Sequence, residues 1–525
     1  MRKIRVLDCT LRDGGYCNQW QFGKENIKKI ISRLTDAGVD IIECGFLTNK
    51  VQFQPNVSKF NTIDQVSAVI PKNRNGKLFV CMMNYGEYSM EDLPPYDGTS
   101  IDGIRLAFHK KNLIEALEIS KQIQEKGYKL FIQAMVSLNY TDEEFLHLIF
   151  ACNELKAYSF YIVDSFGVMK QKELIRLFYM VEHNLDKNIP IGYHSHNNLQ
   201  LAYSNAQTLV DIQTNQDLII DTSIFGMGRG AGNLNTELFV EYLNDNAGGY
   251  YDIKPLLNII DEVLNRFYQT NYWGYSLPNY LSAKHNAHPD YASYLEERHT
   301  LTVENMDEIF SIMDENKKNG YDVAYIEDLY VRYLATGKTY NDHLNELREK
   351  LQGKQVLIIA PGRSVEDEKD KIIAYAGREN VISISVNFDY KYRSADYIFL
   401  SNLRRFKKLN PDKRYKTIVT SNIPVDGAYL QTQYRCLLND IDAVKDNASM
   451  MLIQFLINLD VKDIVISGID GYSHDIGTNF AEGHLEFVTK NTMFDAMNAG
   501  MIKILSRYSK EINISYLTEQ KYVKL

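Results

Sequence analysis

The feature that most constrains this chain is an eightfold alternation of short apolar runs with helix-like stretches over its first 222 residues. Short apolar runs are typical of buried strands, and the stretches between them repeat apolar residues with a helical period. Eight strand–helix units in this length predict a (β/α)8 TIM barrel, with all strand carboxyl ends on one face. The candidate strands are Ile4–Asp8, Ile41–Gly45, Leu78–Met83, Gly103–Ala107, Leu130–Met135, Phe160–Asp164, Ile191–His196 and Leu218–Thr222.

The remainder of the chain divides into segments of different character. We expect the barrel over 1–245, a helical extension over 246–335, a polar linker over 336–354 and a second α/β domain over 355–525. The second domain is predicted to be Rossmann-like, with a doubly wound sheet. Its candidate strands are Val356–Ala360, Val381–Val386, Tyr397–Leu400, Thr417–Ser421 and Ile464–Ser467.

Composition excludes several classes of protein. The chain has 58 Lys and Arg against 67 Asp and Glu, a formal net charge of −9, which argues against nucleic acid as a partner. No run of apolar residues is long enough to span a membrane. The six cysteines form no CxxC pair, so neither a disulfide framework nor a cysteine zinc site is indicated. We therefore expect a cytoplasmic protein.

Charged and imidazole side chains follow two of the predicted strands. Arg12 and Asp13 come just after the first strand, and His194 and His196 end the seventh. Residues two apart on a strand point to the same face, so both imidazoles project together. Two histidines and a carboxylate make a site for a divalent metal with open positions for substrate, although an HxH pair also arises by chance.

Further polar residues lie near the same face of the predicted barrel. A glycine-rich loop after the eighth strand is either a flexible turn or a device that brings Asn233 to the metal or substrate. Glu43, Arg105 and Gln133 lie in predicted strands, where we expect them to face substrate. The alternative for such residues is a hydrogen-bonded polar group inside the barrel.

Three motifs together resemble those of the DRE-TIM metallolyases, whose barrels are HMGL-like. They are DCTLRDGG at 8–15, HSHNNLQLA at 194–202 and GMGRGAGN at 226–233. The segments GIRLAFH at 103–109 and YIVDSFGVM at 161–169 are closest to the 4-hydroxy-2-oxovalerate aldolases. The resemblance extends over about 330 of the 525 residues, including the helical extension.

This resemblance implies a metal centre and an enolate site. Asp13, His194 and His196 correspond to the metal ligands, and Asn233 to a ligand found in some members. Arg12 corresponds to the residue that stabilises the enolate. The family expectation is Mn²⁺ or Mg²⁺, with Zn²⁺ or Co²⁺ as alternatives.

The resemblance leaves the proton-transfer group open. Tyr16 stands where the aldolases carry a catalytic histidine, and a neighbouring cation would lower the pKa of its phenol. His109 or a metal-bound water is the alternative. Tyr280 or Tyr275 corresponds to a late catalytic tyrosine of the aldolases.

The function implied is that of a carbon–carbon lyase. We expect a metal-dependent aldolase that joins or cleaves pyruvate, or a similar 2-keto acid, and an aldehyde. A role in making sugars for surface polysaccharides and a homo-oligomeric state are further expectations. The rival within enzymes is a Claisen-type acyl-CoA condensation, as in isopropylmalate synthase.

The second domain resembles the Rossmann-like fold of the Campylobacter-type sialyltransferases. Gly362, Ser364, Asn387 and Asp470 stand at positions that would contact a nucleotide or nucleotide sugar, which would make the protein bifunctional. The alternative is a domain that acts only as an interaction module.

Overall fold

The computed structural model describes residues 2–298, 301–334, 343–423, 427–485 and 492–523. The chain forms two compact units. Unit 1 comprises 1–292 with 315–321, and unit 2 comprises 293–314 with 322–525. Residues 336–342 of the predicted linker lie outside the described residues.

The sixteen strands of the described residues form two parallel sheets. Nine belong to unit 1 and seven to unit 2. In chain order they are β1 Ile4–Asp8, β2 Ile41–Leu47, β3 Lys59–Phe60, β4 Leu78–Asn84, β5 Gly103–Phe108, β6 Lys129–Ala134, β7 Ser159–Asp164, β8 Ile191–Ser195, β9 Leu218–Thr222, β10 Gln355–Ile359, β11 Val381–Val386, β12 Tyr397–Leu400, β13 Thr417–Thr420, β14 Leu430–Thr432, β15 Asp463–Ser467 and β16 Asn513–Tyr516.

The α-helices cover most of the chain between the strands. They are α1 Gly15–Asn18, α2 Lys24–Asp36, α3 Ile63–Ser67, α4 Leu113–Glu125, α5 Asp142–Leu155, α6 Gln171–Asn184, α7 Ala202–Asp211, α8 Thr236–Asn246, α9 Lys254–Ile259, α10 Asn265–Thr270, α11 Leu277–Lys284, α12 Pro289–Glu296, α13 Val303–Ser311, α14 Glu315–Lys318, α15 Val323–Leu334, α16 Leu344–Leu351, α17 Ser364–Asp367, α18 Lys369–Ala376, α19 Leu403–Lys408, α20 Ala448–Asn458 and α21 Thr492–Tyr508. Within the described part of the chain, none is both long and apolar enough to cross a membrane.

The sheet of unit 1 closes on itself. Its order is β1-β9-β8-β7-β6-β5-β4-β2, with β3 added beside β2, and β1 also pairs with β2. Every pair is parallel, so the prediction of an eight-stranded (β/α)8 barrel is confirmed.

Local sequence signals place the outer helices. The hydroxyl of Thr141 accepts the amide N–H of Glu144, whose carboxylate accepts the N–H of Thr141, and this capping box starts α5. Such a cap is worth about 1 kcal/mol. The buried face of α5 has helical spacing and consists of Phe145, Leu148, Ile149 and Cys152.

The inside of the barrel is layered. The inner apolar cluster consists of Leu7, Cys9, Ile41, Val80, Phe131, Tyr161, Val163 and Ile219, contributed by six strands and the turn after β1. Charged side chains occupy the next inward-facing positions on β2, β5 and β9. These positions lie two residues after Ile41, Gly103 and Ile219. The apolar cluster thus lies beneath a layer of polar side chains, which is next to the barrel mouth.

The sheet of unit 2 is open and wholly parallel, in agreement with the predicted second α/β fold. Its order is β14-β13-β12-β11-β10-β15-β16. The chain moves outward from β10 to β14, then returns to pair β15 with the other side of β10. The sheet therefore has a topological switch at the β10–β15 pair. β14 and β16 have no counterpart among the predicted strands.

Candidate metal centre and active site

Three predicted ligands meet at the mouth of the barrel. Asp13 lies in the turn after β1, where its amide N–H donates to the Cys9 carbonyl at 2.8 Å. His194 lies on β8 and His196 directly follows it. One ligand atom from each residue lies within 4.8 Å of the other two, and all three residues are buried. Parallel strand ends therefore bring together residues that are about 180 positions apart in the chain.

His194 is oriented by a carboxylate that sequence reasoning missed. Its Nδ1 atom lies 2.9 Å from Oδ2 of Asp221 on the neighbouring strand β9. This contact favours the tautomer that carries a proton on Nδ1 and leaves Nε2 as the free donor for a metal. The available signal was an acidic residue in the middle of the apolar strand LIIDT, two positions after the inward-facing Ile219.

Asn233 reaches the same site from the glycine-rich loop. It forms an isolated bridge with His196, and its Nδ2 donates to Oδ2 of Asp13 at 2.5 Å. Its Oδ1 is buried and has no hydrogen-bond partner among the described residues. A Cβ atom at Gly228 would lie 2.3 Å from Asn233 Nδ2 and 2.9 Å from Asp13 Oδ2. The loop therefore needs glycine at 228 to lie this close to the ligands.

Arg12 connects the ligand Asp13 to the charged layer below. Its Nη1 donates to Asp13 Oδ1 at 2.5 Å and its Nε donates to Glu43 Oε2 at 2.8 Å, while the buried Nη2 has no partner among the described residues. Burial alone would lower the pKa of Arg12, but Glu43 and Asp13 outweigh it and raise that pKa. Burial works against the carboxylate of Asp13, yet Arg12 and His196 hold its pKa well below the ordinary value.

The charged layer continues through Arg105, which is fully buried. Its guanidinium pairs with Glu43, at 2.9 Å between Nη1 and Oε2, and with Asp221. Glu43 and Arg105 thus pair with each other, and they also pair with Arg12 and Asp221. Such mutual pairing is typical of polar groups inside a barrel. Their predicted contact with substrate stays a prediction. Gln133 on β6 is 2% exposed, and its Nε2 has no partner among the described residues.

The donor set fits a divalent cation. Burial lowers the pKa of His196 to about 3, so its imidazole is neutral and able to ligate at physiological pH. Its Nδ1 is buried without a hydrogen-bond partner among the described residues, as is Asn233 Oδ1. Mixed carboxylate, imidazole and amide oxygen donors suit Mn²⁺, Mg²⁺ or Zn²⁺ and do not distinguish them.

The formal charge of the layer also favours a cation. Asp13, Glu43 and Asp221 carry three negative charges against the two positive charges of Arg12 and Arg105. The cluster is therefore −1 alone and +1 with a divalent ion. A buried site of net positive charge is suited to an anionic substrate.

Tyr16 and His109 lie at the rim of the barrel. The ring of Tyr16 packs edge-on against Trp20 at 4.7 Å between centroids, and the Arg229 guanidinium lies 5.3 Å from its centroid. Tyr16 keeps 41% of its surface exposed, and burial of the rest raises the pKa of the phenol despite Arg229. The expected lowering of this pKa by a bound metal stays a prediction. His109 is exposed just after β5.

Another histidine near the mouth of the barrel, His288, was not predicted as a site residue. His288 precedes α12, its side chain is 13% exposed, and its Nε2 lies 3.2 Å from Nη1 of Arg229. Burial, and next Arg229, lower the pKa of His288 to about 2, so it is neutral. Arg229, on the glycine-rich loop, thus contacts both Tyr16 and His288.

Tyr280 lies apart from the ligand cluster. It is on α11, is 38% exposed and lines a cavity of about 720 Å³. The cavity also includes Asp164 and Ser165 at the carboxyl end of β7. Neither the three ligands nor Arg12 lines it. Tyr275 is 57% exposed in the loop before α11.

The predicted residues of unit 2 gather at the carboxyl end of its sheet. Gly362, Asn387 and Asp470 line one cavity of about 500 Å³. Ser364 is not among the lining residues, and its N–H and hydroxyl donate to Asp470. A Cβ atom at Gly362 would lie 2.4 Å from the Gly468 carbonyl and 2.7 Å from Asp470, so the turn requires glycine there.

Comparison with known proteins finds relatives of the barrel. Residues 104–261 match the family model described as HMGL-like. The chain is also 28% identical over 247 residues to 4-hydroxy-2-oxovalerate aldolase of Geobacillus genomosp. 3, a match that covers 46% of this chain and 70% of the relative.

Two further similarities involve the same part of the chain. The Pelotomaculum thermopropionicum 4-hydroxy-2-oxovalerate aldolase is 29% identical over 261 residues, covering 49% of this chain and 75% of the relative. The crystal structure of the N-terminal domain of a candidate aldolase from Bacteroides vulgatus is 28% identical and covers 55% of this chain and 95% of that one, with a TM-score of 0.47.

Proposed function

We propose that the HMGL-like barrel is a divalent-metal-dependent aldolase that joins or cleaves pyruvate, or a similar 2-keto acid, and an aldehyde. The observation that carries the proposal is the contact of Arg12 with the ligand Asp13, with a guanidinium nitrogen left over. One edge of Arg12 is held by Asp13 and Glu43, and Nη2 remains to bind an oxyanion. The matched aldolase relatives give the reaction class.

Each residue of the site would have a role that follows from its position. Asp13, His194 and His196 would hold the cation, with Asn233 Oδ1 as a further oxygen donor. When bound, the cation supplies a Lewis acid that polarises the keto oxygen. Arg12 would donate Nη2–H to that oxygen as negative charge develops on it during loss of the methyl proton.

Fixed charges keep these groups in place without rearrangement. Glu43 and Arg105 lie below Arg12, and Asp221 connects Arg105 back to His194. Because each guanidinium is held by two carboxylates, the site is preorganised for an anion before substrate arrives. The proton at the aldehyde oxygen would be exchanged at the rim, where Tyr16 and His109 lie.

Four further parts of the proposal rest on the sequence alone. They are the barrel over 1–245, the helical extension over 246–335, homo-oligomerisation, and a sugar-derived aldehyde for surface polysaccharides. The resemblance to the aldolases over about 330 residues supports the barrel and its extension.

The test separates enolisation from carbon–carbon bond formation. The full chain is incubated with pyruvate and Mn²⁺ or Mg²⁺ in D₂O, and loss of the methyl proton signal is followed by NMR. A panel of aldehydes is then added and products are detected by mass spectrometry. We expect metal-dependent exchange and a product whose mass is the sum of the two substrates, since aldol addition loses no atoms.

The control is the His194→Ala variant, which lacks one ligand. Exchange should fall to the background rate in this variant and in chelator-treated protein. Exchange that persists in both, or the absence of exchange with every divalent cation tested, would contradict the proposal. Incorporation of an acyl-CoA in place of an aldehyde would assign the barrel to Claisen condensation.

A further inference from the structure

Unit 2 contains a cavity of about 500 Å³ at the carboxyl edge of its parallel sheet. Residues that follow four strands line it: Gly362 after β10, Asn387 after β11, Ser401 after β12 and Gly468 after β15. The cavity therefore includes the β10–β15 switch point, where ligands of open α/β sheets bind. Its volume is that of a site for a molecule of cofactor size.

Two arginines line this cavity. Arg298 is 8% exposed, and its Nε has no hydrogen-bond partner among the described residues. Arg405 is half-buried and is held by a hydrogen bond from Nη2 to the Leu485 carbonyl at 2.7 Å. Two guanidinium groups in one concave site are suited to a phosphate.

Four acidic residues also line the cavity, and hydroxyl groups already engage two of them. Asp446 already accepts hydrogen bonds from the hydroxyls of Tyr330 and Tyr434, at 3.2 and 3.3 Å. Asp470 accepts both hydrogen bonds from Ser364. The two remaining acidic lining residues, Glu297 and Asp442, are exposed to solvent.

The start of α20 faces the same space. Asn447, Ala448 and Ser449 line the cavity, and α20 is a regular helix of 11 residues. The side chain of Asn447 already accepts the N–H groups of Ser449 and Met450, so this helix start contributes the positive end of its dipole beside the two arginines. Such helix starts bind phosphate where other groups complete the site.

The cavity also has an apolar wall made by one face of α21. Met493, Met497 and Met501 are spaced by four residues, so they lie along one side of the helix, and all three line the cavity. Methionine side chains adapt to flat ligand surfaces and make favourable contacts with aromatic rings. A purely inorganic anion would make no apolar contact with these methionines.

Asn387 provides a polar contact in a strained position. Its φ is +67°, in the left-handed region, and its Oδ1 is buried without a hydrogen-bond partner among the described residues. Strained backbone and an unsatisfied amide oxygen both cost free energy, and the two coincide at a residue that lines the cavity. A hydrogen-bond donor on a ligand would satisfy this oxygen.

We propose that this cavity binds a nucleoside phosphate. The phosphate is held by Arg298, Arg405 and the start of α20, and the base lies against the methionine wall of α21. An N–H or O–H of the ligand donates to Asn387 Oδ1. The site is a second one, with its own ligand, and its existence does not depend on aldolase activity in the barrel.

The experiment is calorimetric titration of the full chain with probes of defined chemistry. These are AMP, CMP, GMP and UMP, the corresponding nucleosides, and inorganic phosphate. We expect at least one nucleotide to bind with a Kd below about 1 mM, with its nucleoside at least 10-fold weaker. Inorganic phosphate should compete, because it occupies the same cations.

Three variants and one matched control locate the binding. Arg298→Gln and Arg405→Gln should each weaken nucleotide binding at least 10-fold. Asn387→Gly removes the amide while tolerating the left-handed φ, so it preserves the fold, and it should weaken binding about 3- to 10-fold. Arg404→Gln removes an exposed arginine that does not line the cavity and should leave the Kd unchanged.

The proposal is overturned if no nucleotide binds at 5 mM, or if nucleosides bind as tightly as nucleotides. It is equally overturned if binding is unchanged in the folded Asn387→Gly variant and in both arginine variants. Circular dichroism and metal content establish that each variant is folded.

Discussion

The Nδ1 atom of His194 lies 2.9 Å from Oδ2 of Asp221, and the same carboxylate pairs with the fully buried Arg105. A predicted metal ligand is thereby connected to a series of ion pairs that runs through Glu43 to Arg12 and back to Asp13. The residues at the two ends of this series are both predicted metal ligands. A change in any member is therefore expected to affect metal affinity as well as stability.

His194→Ala tests the metal centre directly. Two of the three predicted protein ligands at the site would remain, so we expect bound metal to fall from about one equivalent to near zero after dialysis. The measurement is elemental analysis by mass spectrometry. His183→Ala, an exposed histidine on α6, is the control and should retain its metal. Stoichiometric metal in His194→Ala would refute the assignment.

Asp221→Asn tests the orienting contact. The change keeps the shape of the side chain but removes the charge that holds His194 and Arg105. We expect metal affinity to fall about 10- to 100-fold, as for other residues that orient metal-binding histidines. The unfolding temperature should also fall, since Arg105 loses a buried partner. Asp217→Asn, just before the same strand, is the matched control, and equal affinities in the two variants would count against an orienting role.

Arg12→Lys tests the enolate site. Lysine keeps the charge but lacks the forked geometry that contacts Asp13 and Glu43 together. We expect proton exchange of pyruvate to slow about 10²- to 10³-fold, the usual loss on removing an oxyanion donor. Metal content should remain near one equivalent. Arg33→Lys on α2 serves as the control, and wild-type exchange in Arg12→Lys would exclude a direct role for the guanidinium.

Tyr16→Phe tests the aldehyde-side proton transfer. Because burial raises the pKa of the phenol, Tyr16 holds its proton at neutral pH and is suited to act as an acid. We expect aldol turnover to fall about 10²- to 10⁴-fold while pyruvate exchange continues. If His109 does this work instead, His109→Ala will lose turnover and Tyr16→Phe will keep it.

His288→Gln tests a pH effect on stability. The folded pKa of His288 is lowered to about 2 against an ordinary 6.5, so the unfolded chain binds the proton first as pH falls. The protein therefore loses stability below pH 6.5, by about 2 kcal/mol at pH 5 from this residue. We expect His288→Gln to remove that part of the difference between pH 7.5 and pH 5.

Urea unfolding followed by tryptophan fluorescence measures this difference. Trp20 and Trp273 are the two tryptophans of the chain and both belong to unit 1, as His288 does. His183→Gln, an exposed histidine, should show the wild-type pH dependence. An unchanged difference in His288→Gln would show that this imidazole titrates normally in the folded protein.

Local pattern was sufficient for the barrel. Each of the eight barrel strands from Ile4–Asp8 to Leu218–Thr222, leaving out the short β3, is a mostly apolar run with its own boundaries, and the number and order of such runs determine the (β/α)8 topology. The HxH spacing likewise put His194 and His196 on one face, because side-chain direction on a strand depends on sequence alone. In unit 2 the short β14 and the half-exposed β16 lack that apolar signal and were not predicted.

What only the tertiary structure decided is which side chains meet across the barrel. Asp221 and Arg105 are 116 residues apart, and neither position distinguishes an ion pair from contact with substrate. The strand order places β5 and β9 on opposite sides of the barrel interior. Closure of the barrel then sets the distance that the Arg105 guanidinium must span to Asp221. The sequence by itself determined the barrel fold, its motifs and the choice of Asp13, His194 and His196 as candidate ligands. The interior ion-pair chain, the orientation of His194 and the cavity of unit 2 depend on distances between remote segments, which only packing sets.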